Sequence, residues 1–289
     1  MLDLHMHSTH SDGDLSVLEL HNMAIANNIS VLSITDHDNI ASVGDILNND
    51  FYKALTYIPG VELSTVSYYL KSKVKIHLLG YGFDYNNKIL NQKLQEIFQW
   101  REIDNYKYIE LLLKNNSYLP NSLFQNFEYG KYGWIKKLIL KEVENKISTA
   151  DLQKLITYLD NNKPIYQKYN FDVVEAINFI HAAGGYAVMA HPHETKLDFS
   201  NLSLLVKHLV LNNLDGIETY HIDASKDDMA FVHKLAMKYN LYETGGTDFH
   251  SLSNSLGIGK NLEPTFTNGD LALVRKIIKE KKIIGESHE

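Results

Sequence analysis

The chain has 289 residues, of which 44% are hydrophobic and 22% charged, and its formal net charge at pH 7 is −7. This composition is typical of a soluble globular protein. No apolar run is as long as a membrane span, and the N-terminus lacks a signal-peptide pattern. We therefore expect a cytoplasmic protein with no membrane partner. Cysteine is absent, which excludes thiolate metal ligands, and the scarcity of arginine, found only at Arg101 and Arg275, argues against a duplex DNA partner.

Short apolar segments, most of them followed by turn residues and then by helical periodicity, recur along the chain. This alternation predicts an α/β fold. The predicted strands cover residues 2–6, 31–35, 55–61, 74–80, 186–190, 215–219 and 241–245. The predicted helices cover residues 16–28, 172–183, 201–212 and 225–239. In the first of these helices Ser16 is a good N-cap, and Glu19 completes a capping box.

Residues 86–170 differ from the rest of the chain. They are rich in Lys, Asn, Tyr and Leu, and their apolar residues have helical spacing without clear strands between them. We therefore predict that residues 1–85 and 171–289 together form one domain. Residues 86–170 are predicted to form a helical subdomain inserted into it.

His5 and His7 in LDLHMH stand two residues apart, so on a strand both side chains leave the same face and can converge on one ion. This spacing alone also arises by chance on exposed strands. However, similar polar clusters accompany other predicted strands: ITDHDN at 34–39, PGVE at 59–62, IHLLGYG at 76–82, AHPH at 190–193 and GTDFH at 246–250. Because the loops after the carboxyl ends of parallel strands meet at one edge of a sheet or barrel, we expect these clusters to form one active site.

The motifs HxH with SDG, TDHD, GxE, AHP and TDxH occur in this order and resemble those of the PHP (polymerase and histidinol phosphatase) family over nearly the whole chain. The segments HLLGYGFD, TYLDNNKPIY and AINFIHAAGGYAVMAHP are similar to those of its small bacterial phosphoesterases, which act on nucleoside 3′,5′-bisphosphates and short RNA. The resemblance implies a distorted (β/α)7-type barrel formed by residues 1–85 and 171–289. It also implies that the helical subdomain at residues 86–170 covers the active site.

The resemblance further implies a set of metal ligands made of imidazoles and carboxylates. These are His5, His7, Asp12, His37, Glu62, His77, His191, Asp248 and His250. Nitrogen and oxygen ligands without thiolate suit Mn²⁺, Fe²⁺ or Zn²⁺, and a bridging carboxylate such as Glu62 can hold two ions close together. We therefore expect two to three divalent ions, which would activate a bridging hydroxide for attack on a phosphate ester. Asp3, Asp36 or Asp38 could orient the ligand histidines.

Three further histidines lie near these motifs. In the family, the aspartate of the SDG stretch, which corresponds to Asp12 here, binds the metal. The residue type at the position of His10 varies, so we do not count His10 as a ligand. His193, two residues after the AHP histidine, and His221, just beyond a predicted strand end, are candidate catalytic proton donors. A solvated loop histidine is an equally good interpretation of His193.

Members of this branch usually bind substrate phosphates through arginines, whereas this chain has mostly lysines in the corresponding segments. A lysine binds phosphate as a point charge, without the bidentate geometry of arginine. The candidate substrate-binding residues are Arg101, Lys131, Trp134, Lys137 and Lys196. Among them, Trp134 is the candidate for stacking on a base.

We therefore predict a hydrolase that acts on a phosphate ester of a small nucleotide-like substrate, either a nucleoside 3′,5′-bisphosphate or the 5′ end of a short oligoribonucleotide. Two alternatives stay open. One is a histidinol-phosphate-type phosphomonoesterase, against which the inserted subdomain argues. The other is a non-catalytic metal-binding module, against which the complete ligand set argues. The oligomeric state is open as well.

Overall fold

The computed structural model describes residues 1–127, 135–162, 171–252 and 272–286, and the strands in these ranges form two sheets. The first sheet is parallel, with the order β1 (Leu2–Asp3), β2 (Val31–Leu32) and β3 (Thr56–Tyr57). The second sheet has the order β4 (Gly60–Ser67), β5 (Val74–Tyr81), β6 (Tyr186–Met189), β7 (Gly216–His221) and β8 (Tyr242–Gly246). In this sheet β6, β7 and β8 run parallel, and β5 is antiparallel to both of its neighbours.

The two sheets are joined at both edges. At one edge, the Leu4 N–H donates to the Gly245 carbonyl at 3.3 Å, which links the segment after β1 to β8. At the other edge, the chain passes from β3 almost directly into β4, and His37 forms a parallel bridge with Glu62. The strands therefore close into a ring, and the predicted α/β barrel is confirmed.

The region around β4 differs from the prediction in two ways. The predicted strand 55–61 is split, because Pro59 has no N–H to donate to a sheet ladder, and β4 then continues to Ser67. The connection between β4 and β5 covers only residues 68–73, which is too short for the crossover that a parallel pair requires. The pair is therefore an antiparallel hairpin.

Helices follow most of the strands. They are α1 (Val17–Ala26), α2 (Ala41–Asn48), α3 (Lys88–Asn115), α4 (Ile135–Val143), α5 (Thr149–Asn161), α6 (Val173–Ala182), α7 (Phe199–Leu211), α8 (Lys226–Tyr239) and α9 (Ala272–Lys279). The predicted capping box of α1 is confirmed, since the Glu19 N–H donates to Ser16 Oγ at 3.3 Å and the Ser16 N–H donates to Glu19 Oε2 at 2.7 Å. The prediction omits α2, because Gly44 in its middle weakens the helical pattern. In the described ranges no helix is both long and apolar enough to cross a membrane.

The chain divides into two compact units. The barrel unit contains residues 1–92 and 171–289 and holds every described strand. The helical unit contains residues 93–170, and its described part consists of most of α3, a short 3-10 helix at Asn121–Phe124, α4 and α5. The assignment of the helical unit as a cover for the active site stays a prediction.

Each unit has a hydrophobic core of its own. In the barrel unit, Leu20 of α1 and Leu32 of β2 belong to one buried cluster. In the helical unit, Leu112 of α3 and Leu155 of α5 belong to another. Burial of each such leucine contributes about 2 kcal/mol. Packing of these apolar faces, more than local helix propensity, therefore holds the helices in place.

Gly246 allows β8 to approach the segment after β1 closely. An alanine Cβ at this position would lie 2.3 Å from His5 Cβ and 2.5 Å from the His5 backbone nitrogen. We expect Gly246→Ala to destabilise the metal-free protein by about 1–3 kcal/mol, because β8 and the segment that contains His5 must separate. The matched substitution Gly44→Ala, whose Cβ has no described atom within 4 Å, should instead stabilise α2 by about 0.5–1 kcal/mol. Urea denaturation measures both changes, and equal effects would contradict the close packing at Gly246.

Candidate metal centre

The predicted ligands come from strands and loops spread along the whole barrel unit. His5 and His7 follow β1, Asp12 precedes α1, His37 follows β2, Glu62 lies in β4, His77 in β5, His191 follows β6, and Asp248 and His250 follow β8. The structure brings all of these side chains into one cluster. Eight of them form three overlapping groups in which one nitrogen or oxygen atom per residue lies within 4.8 Å of the others. The ninth, His191, lies with its Nε2 2.9 Å from Glu62 Oε1.

Glu62 is the centre of this cluster, and its side chain is fully buried. Its Oε2 faces three imidazoles, with His5 Nε2 at 3.2 Å, His7 Nε2 at 3.1 Å and His37 Nδ1 at 3.2 Å. Its Oε1 faces two more, His77 Nδ1 and His191 Nε2, each at 2.9 Å. A single carboxylate is thus surrounded by five imidazole nitrogens.

The position of His77 corrects one expectation. From the sequence, every polar cluster is expected after the carboxyl end of a strand. Because β5 runs antiparallel to its neighbours, however, its beginning lies where the other strands end, and His77 is in its first half, with Ser64 as its Cα partner on β4. Glu62 also lies within β4 rather than in a loop.

Asp248 is the second carboxylate that joins several imidazoles. Its Oδ1 lies 2.9 Å from His7 Nε2 and 3.2 Å from His5 Nε2. Asp248 has a backbone φ of +47°, and His191 has a φ of +22°. Non-glycine residues rarely adopt these angles, which cost about 1–3 kcal/mol each. The fold therefore maintains two strained residues within the cluster, as is common at functional sites.

Asp12 and His250 form the outer part of the cluster. His250 Nε2 lies 3.3 Å from Asp12 Oδ1. The other ring nitrogen, Nδ1, is 2.7 Å from the Asp248 carbonyl oxygen. Because a carbonyl oxygen only accepts, Nδ1 carries a proton, and Nε2 is the ring atom that faces the carboxylate of Asp12.

The buried ring nitrogens of the cluster are better placed to bind a cation than to form hydrogen bonds within the cluster. His5 Nε2 and His77 Nδ1 are both buried and lie within 3.2 Å of Glu62, yet neither forms a hydrogen bond within the described part of the chain. Buried polar atoms left without a partner are unfavourable, whereas a divalent ion would satisfy several of them at once. The set of nitrogen and oxygen donors suits Mn²⁺, Fe²⁺ or Zn²⁺.

The electrostatics of the cluster favour positive charge. Burial lowers the pKa of His5, but the carboxylates of Glu218, Asp248 and Glu62 outweigh burial and hold this pKa well above its usual value. Burial likewise lowers the pKa of His7, while hydrogen bonds and charges from Asp248 and Glu62 raise it to about 10. The same field would attract a divalent cation.

Glu218 is a cluster residue that the sequence argument missed. It lies in β7, and its Oε1 is 3.0 Å from His5 Nδ1. Its Oε2 accepts a hydrogen bond from the His191 N–H at 2.8 Å. The feature of the sequence that could have revealed Glu218 is a carboxylate within the apolar strand segment 215–219. An acid that is buried in a strand requires hydrogen-bond partners.

The aspartates predicted to orient ligand histidines bind mainly to other groups. Asp3 accepts from the Thr247 N–H at 3.1 Å and from its hydroxyl at 2.8 Å, and burial raises the pKa of Asp3 to about 6. Asp38 accepts from the Ser64 N–H at 3.0 Å. These two carboxylates therefore help to hold the segments that carry the candidate ligands.

Asp36 reaches a ligand through one intermediate. The Ser11 hydroxyl donates to Asp36 Oδ1 at 2.6 Å, and Ser11 Oγ lies 3.4 Å from His7 Nδ1. Asp36 also accepts from the Ser8 N–H at 2.8 Å. It thereby fixes the loop after β1 and supports His7 through Ser11.

The two candidate proton donors lie beside the cluster. The ring centroids of His193 and His221 are 4.9 Å apart. His221 is buried, its Nε2 lies 3.7 Å from Asp248 Oδ2, and its Nδ1 accepts from the Asp223 N–H at 3.2 Å. His193 is half-buried, and burial together with the charges of His221 and His191 lowers its pKa.

His10, which the sequence argument leaves out of the ligand set, lies apart from these groups. Its Nε2 forms a hydrogen bond with Asp45 Oδ2 at 2.8 Å, and both side chains are partly exposed.

The candidate substrate-binding residues are only partly described. Lys196 is exposed and follows a short 3-10 helix at Pro192–Thr195 in the barrel unit. Arg101 lies on α3 in the helical unit and is 7% exposed. Lys131, Trp134 and the side chain of Lys137 lie outside the described residues. Substrate contacts of all five residues stay predictions.

The chain is similar in sequence and fold to several known proteins. A family model of the PHP domain matches residues 3–176. A 5′-3′ exoribonuclease of Haemophilus influenzae is 30% identical over 266 residues, which cover 90% of this chain and 94% of the relative. A 3′,5′-nucleoside bisphosphate phosphatase of Chromobacterium violaceum is 26% identical over 262 residues, which cover 86% of this chain and 87% of the relative. The solved structure of an amidohydrolase from Chromobacterium violaceum, with bound sulfate, has the same fold, with a TM-score of 0.75, 24% identity, and coverage of 98% of this chain and 96% of that chain.

Proposed function

Because this chain belongs to the PHP-domain family, we propose that it is a metal-dependent phosphoesterase that hydrolyses a phosphate ester of a small nucleotide-like substrate. The observation that carries the proposal is the convergence of five imidazoles on the single buried carboxylate of Glu62. The substrate class is supported by two relatives that match most of the chain, one named as an exoribonuclease and one as a nucleoside bisphosphate phosphatase.

The proposed centre holds two to three divalent ions, with Mn²⁺, Fe²⁺ and Zn²⁺ all suited to its ligands. Its ligands are His5, His7, Asp12, His37, Glu62, His77, His191, Asp248 and His250. The three overlapping groups of ligand atoms support this number of ions. When bound, such ions lower the pKa of water and neutralise the charge that develops on phosphate oxygens.

The chain's own residues hold a proton beside this centre. His221 Nδ1 accepts from the Asp223 N–H at 3.2 Å, so the neutral ring carries its proton on Nε2, the atom that faces Asp248 at 3.7 Å. A neutral imidazole is a very weak acid, so we propose that His221 donates a hydrogen bond to the leaving oxygen and that its neighbour His193, in its protonated form, transfers a proton to that oxygen. A cytoplasmic location stays a prediction from the sequence.

A substrate panel tests the proposed function. The Mn²⁺-loaded protein is incubated separately with a nucleoside 3′,5′-bisphosphate, a 5′-phosphorylated short oligoribonucleotide, histidinol phosphate and a sugar phosphate. Release of phosphate and of mononucleotides is then measured. We expect kcat/KM for the better nucleotide substrate to exceed that for the other phosphates by at least about tenfold, which is about 1.4 kcal/mol of transition-state discrimination.

Two results would contradict this assignment in different ways. Faster turnover of histidinol phosphate than of either nucleotide substrate would favour the phosphomonoesterase alternative. Less than one equivalent of tightly bound metal, together with no metal-dependent hydrolysis of any substrate, would favour a non-catalytic module.

A further inference from the structure

We infer that Glu218 is a positioning residue that holds two metal ligands, His5 and His191, in the orientation that metal binding requires. The inference rests on the ligand assignment of the proposed function and adds a residue outside that ligand set. Glu218 lies in the middle of β7 and is 1% exposed. A buried carboxylate in a central strand is unfavourable unless both of its oxygens have partners.

Both oxygens of Glu218 bind a candidate ligand residue. Oε1 lies 3.0 Å from His5 Nδ1, and Oε2 accepts from the backbone N–H of His191 at 2.8 Å. His5 comes from the segment after β1, and His191 comes from the segment after β6. One side chain of β7 therefore contacts candidate ligands from the segments that follow two other strands of the barrel.

The contact with His5 determines which ring nitrogen is free to bind a metal. An ionised carboxylate only accepts hydrogen bonds, so the proton of the neutral His5 ring lies on Nδ1. The lone pair then lies on Nε2, which faces both Glu62 and Asp248 at 3.2 Å. Glu218 thus selects the tautomer whose free nitrogen faces the cluster, as outer carboxylates do for many metal-bound histidines.

The contact with His191 acts on the backbone. His191 has a φ of +22° and a ψ of +67°, a conformation that non-glycine residues rarely adopt. The hydrogen bond from its N–H to Glu218 helps to hold this conformation, in which His191 Nε2 lies 2.9 Å from Glu62 Oε1. Loss of Glu218 would therefore affect two ligands at once.

Glutamine at this position cannot reproduce both contacts. Its amide has one accepting oxygen and one donating NH₂ group, whereas His5 Nδ1 and the His191 N–H both donate. If the NH₂ group faces His5, the ring must move its proton to Nε2, which then cannot bind a metal. If the NH₂ group faces His191, two donors oppose each other and the strained loop loses its hydrogen bond.

Metal binding by Glu218→Gln tests this inference without any substrate. Competition with a chelator measures Zn²⁺ affinity, and visible absorption of the Co²⁺-loaded protein reports the ligand geometry. We expect at least one ion to bind about 10–100-fold more weakly, with an altered Co²⁺ spectrum. A merely structural role would instead lower the urea midpoint of the metal-free protein and leave the spectrum of the bound Co²⁺ unchanged.

Glu243→Gln is the matched control. Glu243 lies on the neighbouring strand β8, is largely buried, and contacts a histidine that is outside the cluster, with His233 Nδ1 at 3.1 and 2.9 Å from its two oxygens. This variant should keep wild-type Zn²⁺ affinity and an unchanged Co²⁺ spectrum. Wild-type metal binding by Glu218→Gln as well would overturn the inference.

A measurement on the wild-type protein makes the test independent of whether Glu218→Gln folds. In the Zn²⁺-loaded protein with ¹⁵N-labelled histidine, NMR distinguishes Nδ1–H from Nε2–H rings, and His5→Asn identifies the His5 signals. We expect His5 to carry its proton on Nδ1. Normal Zn²⁺ binding with the proton on Nε2 would refute the role of Glu218 alone, whereas failure of the wild-type protein to bind Zn²⁺ would refute the proposed metal centre too.

Discussion

Asp248→Asn is expected to lower kcat/KM for the best substrate by at least about 100-fold. Removal of a residue that only hydrogen-bonds to a metal ligand already lowers activity by up to about this factor, and we expect the loss of a ligand to cost at least as much. Asp248 Oδ1 lies within 3.2 Å of both His5 Nε2 and His7 Nε2, so its charge contributes to the centre of the cluster. Asparagine has nearly the same shape and tolerates the positive φ of +47° at this position. The substitution therefore removes the charge and largely preserves the backbone.

Steady-state kinetics and the metal content of the purified protein measure this effect together. Asp45→Asn is the matched control, because Asp45 also contacts an imidazole, His10 Nε2 at 2.8 Å, but lies outside the cluster and is partly exposed. We expect Asp45→Asn to stay within about twofold of the wild-type rate, since surface ion pairs contribute little. Retention of full metal content and near wild-type activity by Asp248→Asn would show that Asp248 is not a ligand.

Glu62→Gln is expected to have the largest effect on metal content. Five imidazole nitrogens face the two oxygens of Glu62, at distances of 2.9 to 3.2 Å. Burial raises the pKa of Glu62, but the charges of His37, His5 and His77 outweigh burial and hold this pKa well below its usual value, so the group is ionised. A neutral amide removes the one carboxylate charge that all five imidazoles face.

We therefore expect Glu62→Gln to lose about one equivalent of metal or more, because a bridging carboxylate can contribute to two ions. Its activity should fall at least as far as that of Asp248→Asn. Elemental analysis after dialysis against a weak chelator measures the metal, with Glu243→Gln as the control for the same chemical change on β8. Unchanged metal content in Glu62→Gln would contradict a bridging role.

Local sequence patterns predicted the features that depend on near neighbours. The capping box of Ser16 and Glu19 involves residues three positions apart, and the structure contains both of its hydrogen bonds. The spacing of His5 and His7 likewise predicted two side chains on one face, and both rings lie beside Glu62 Oε2. Such features follow from the geometry of a single helix or strand.

Other features depend on how distant segments pair, and the patterns missed them. The short connection between β4 and β5 makes β5 antiparallel to its neighbours, so that His77, in the first half of β5, lies beside ligands that follow the ends of other strands. The role of Glu218 was not visible in the motif around it, because its partners are His5 and His191, which are distant in the sequence. Only closure of the barrel brings these residues into contact.

Composition and the alternation of strands and helices thus sufficed to predict the α/β fold, and the order of the motifs, through the family resemblance, predicted a set of nitrogen and oxygen donors whose side chains the structure brings together. Ring tautomers, the strained backbone at His191 and Asp248, and the partners of each carboxylate were decided by the tertiary structure. The physical reason is that a residue type and its spacing limit which chemistry is available, whereas a hydrogen bond or a metal site requires atoms from separate strands to lie within about 3 Å of one another. The packing of β1, β4, β6, β7 and β8 into one barrel brings those atoms together.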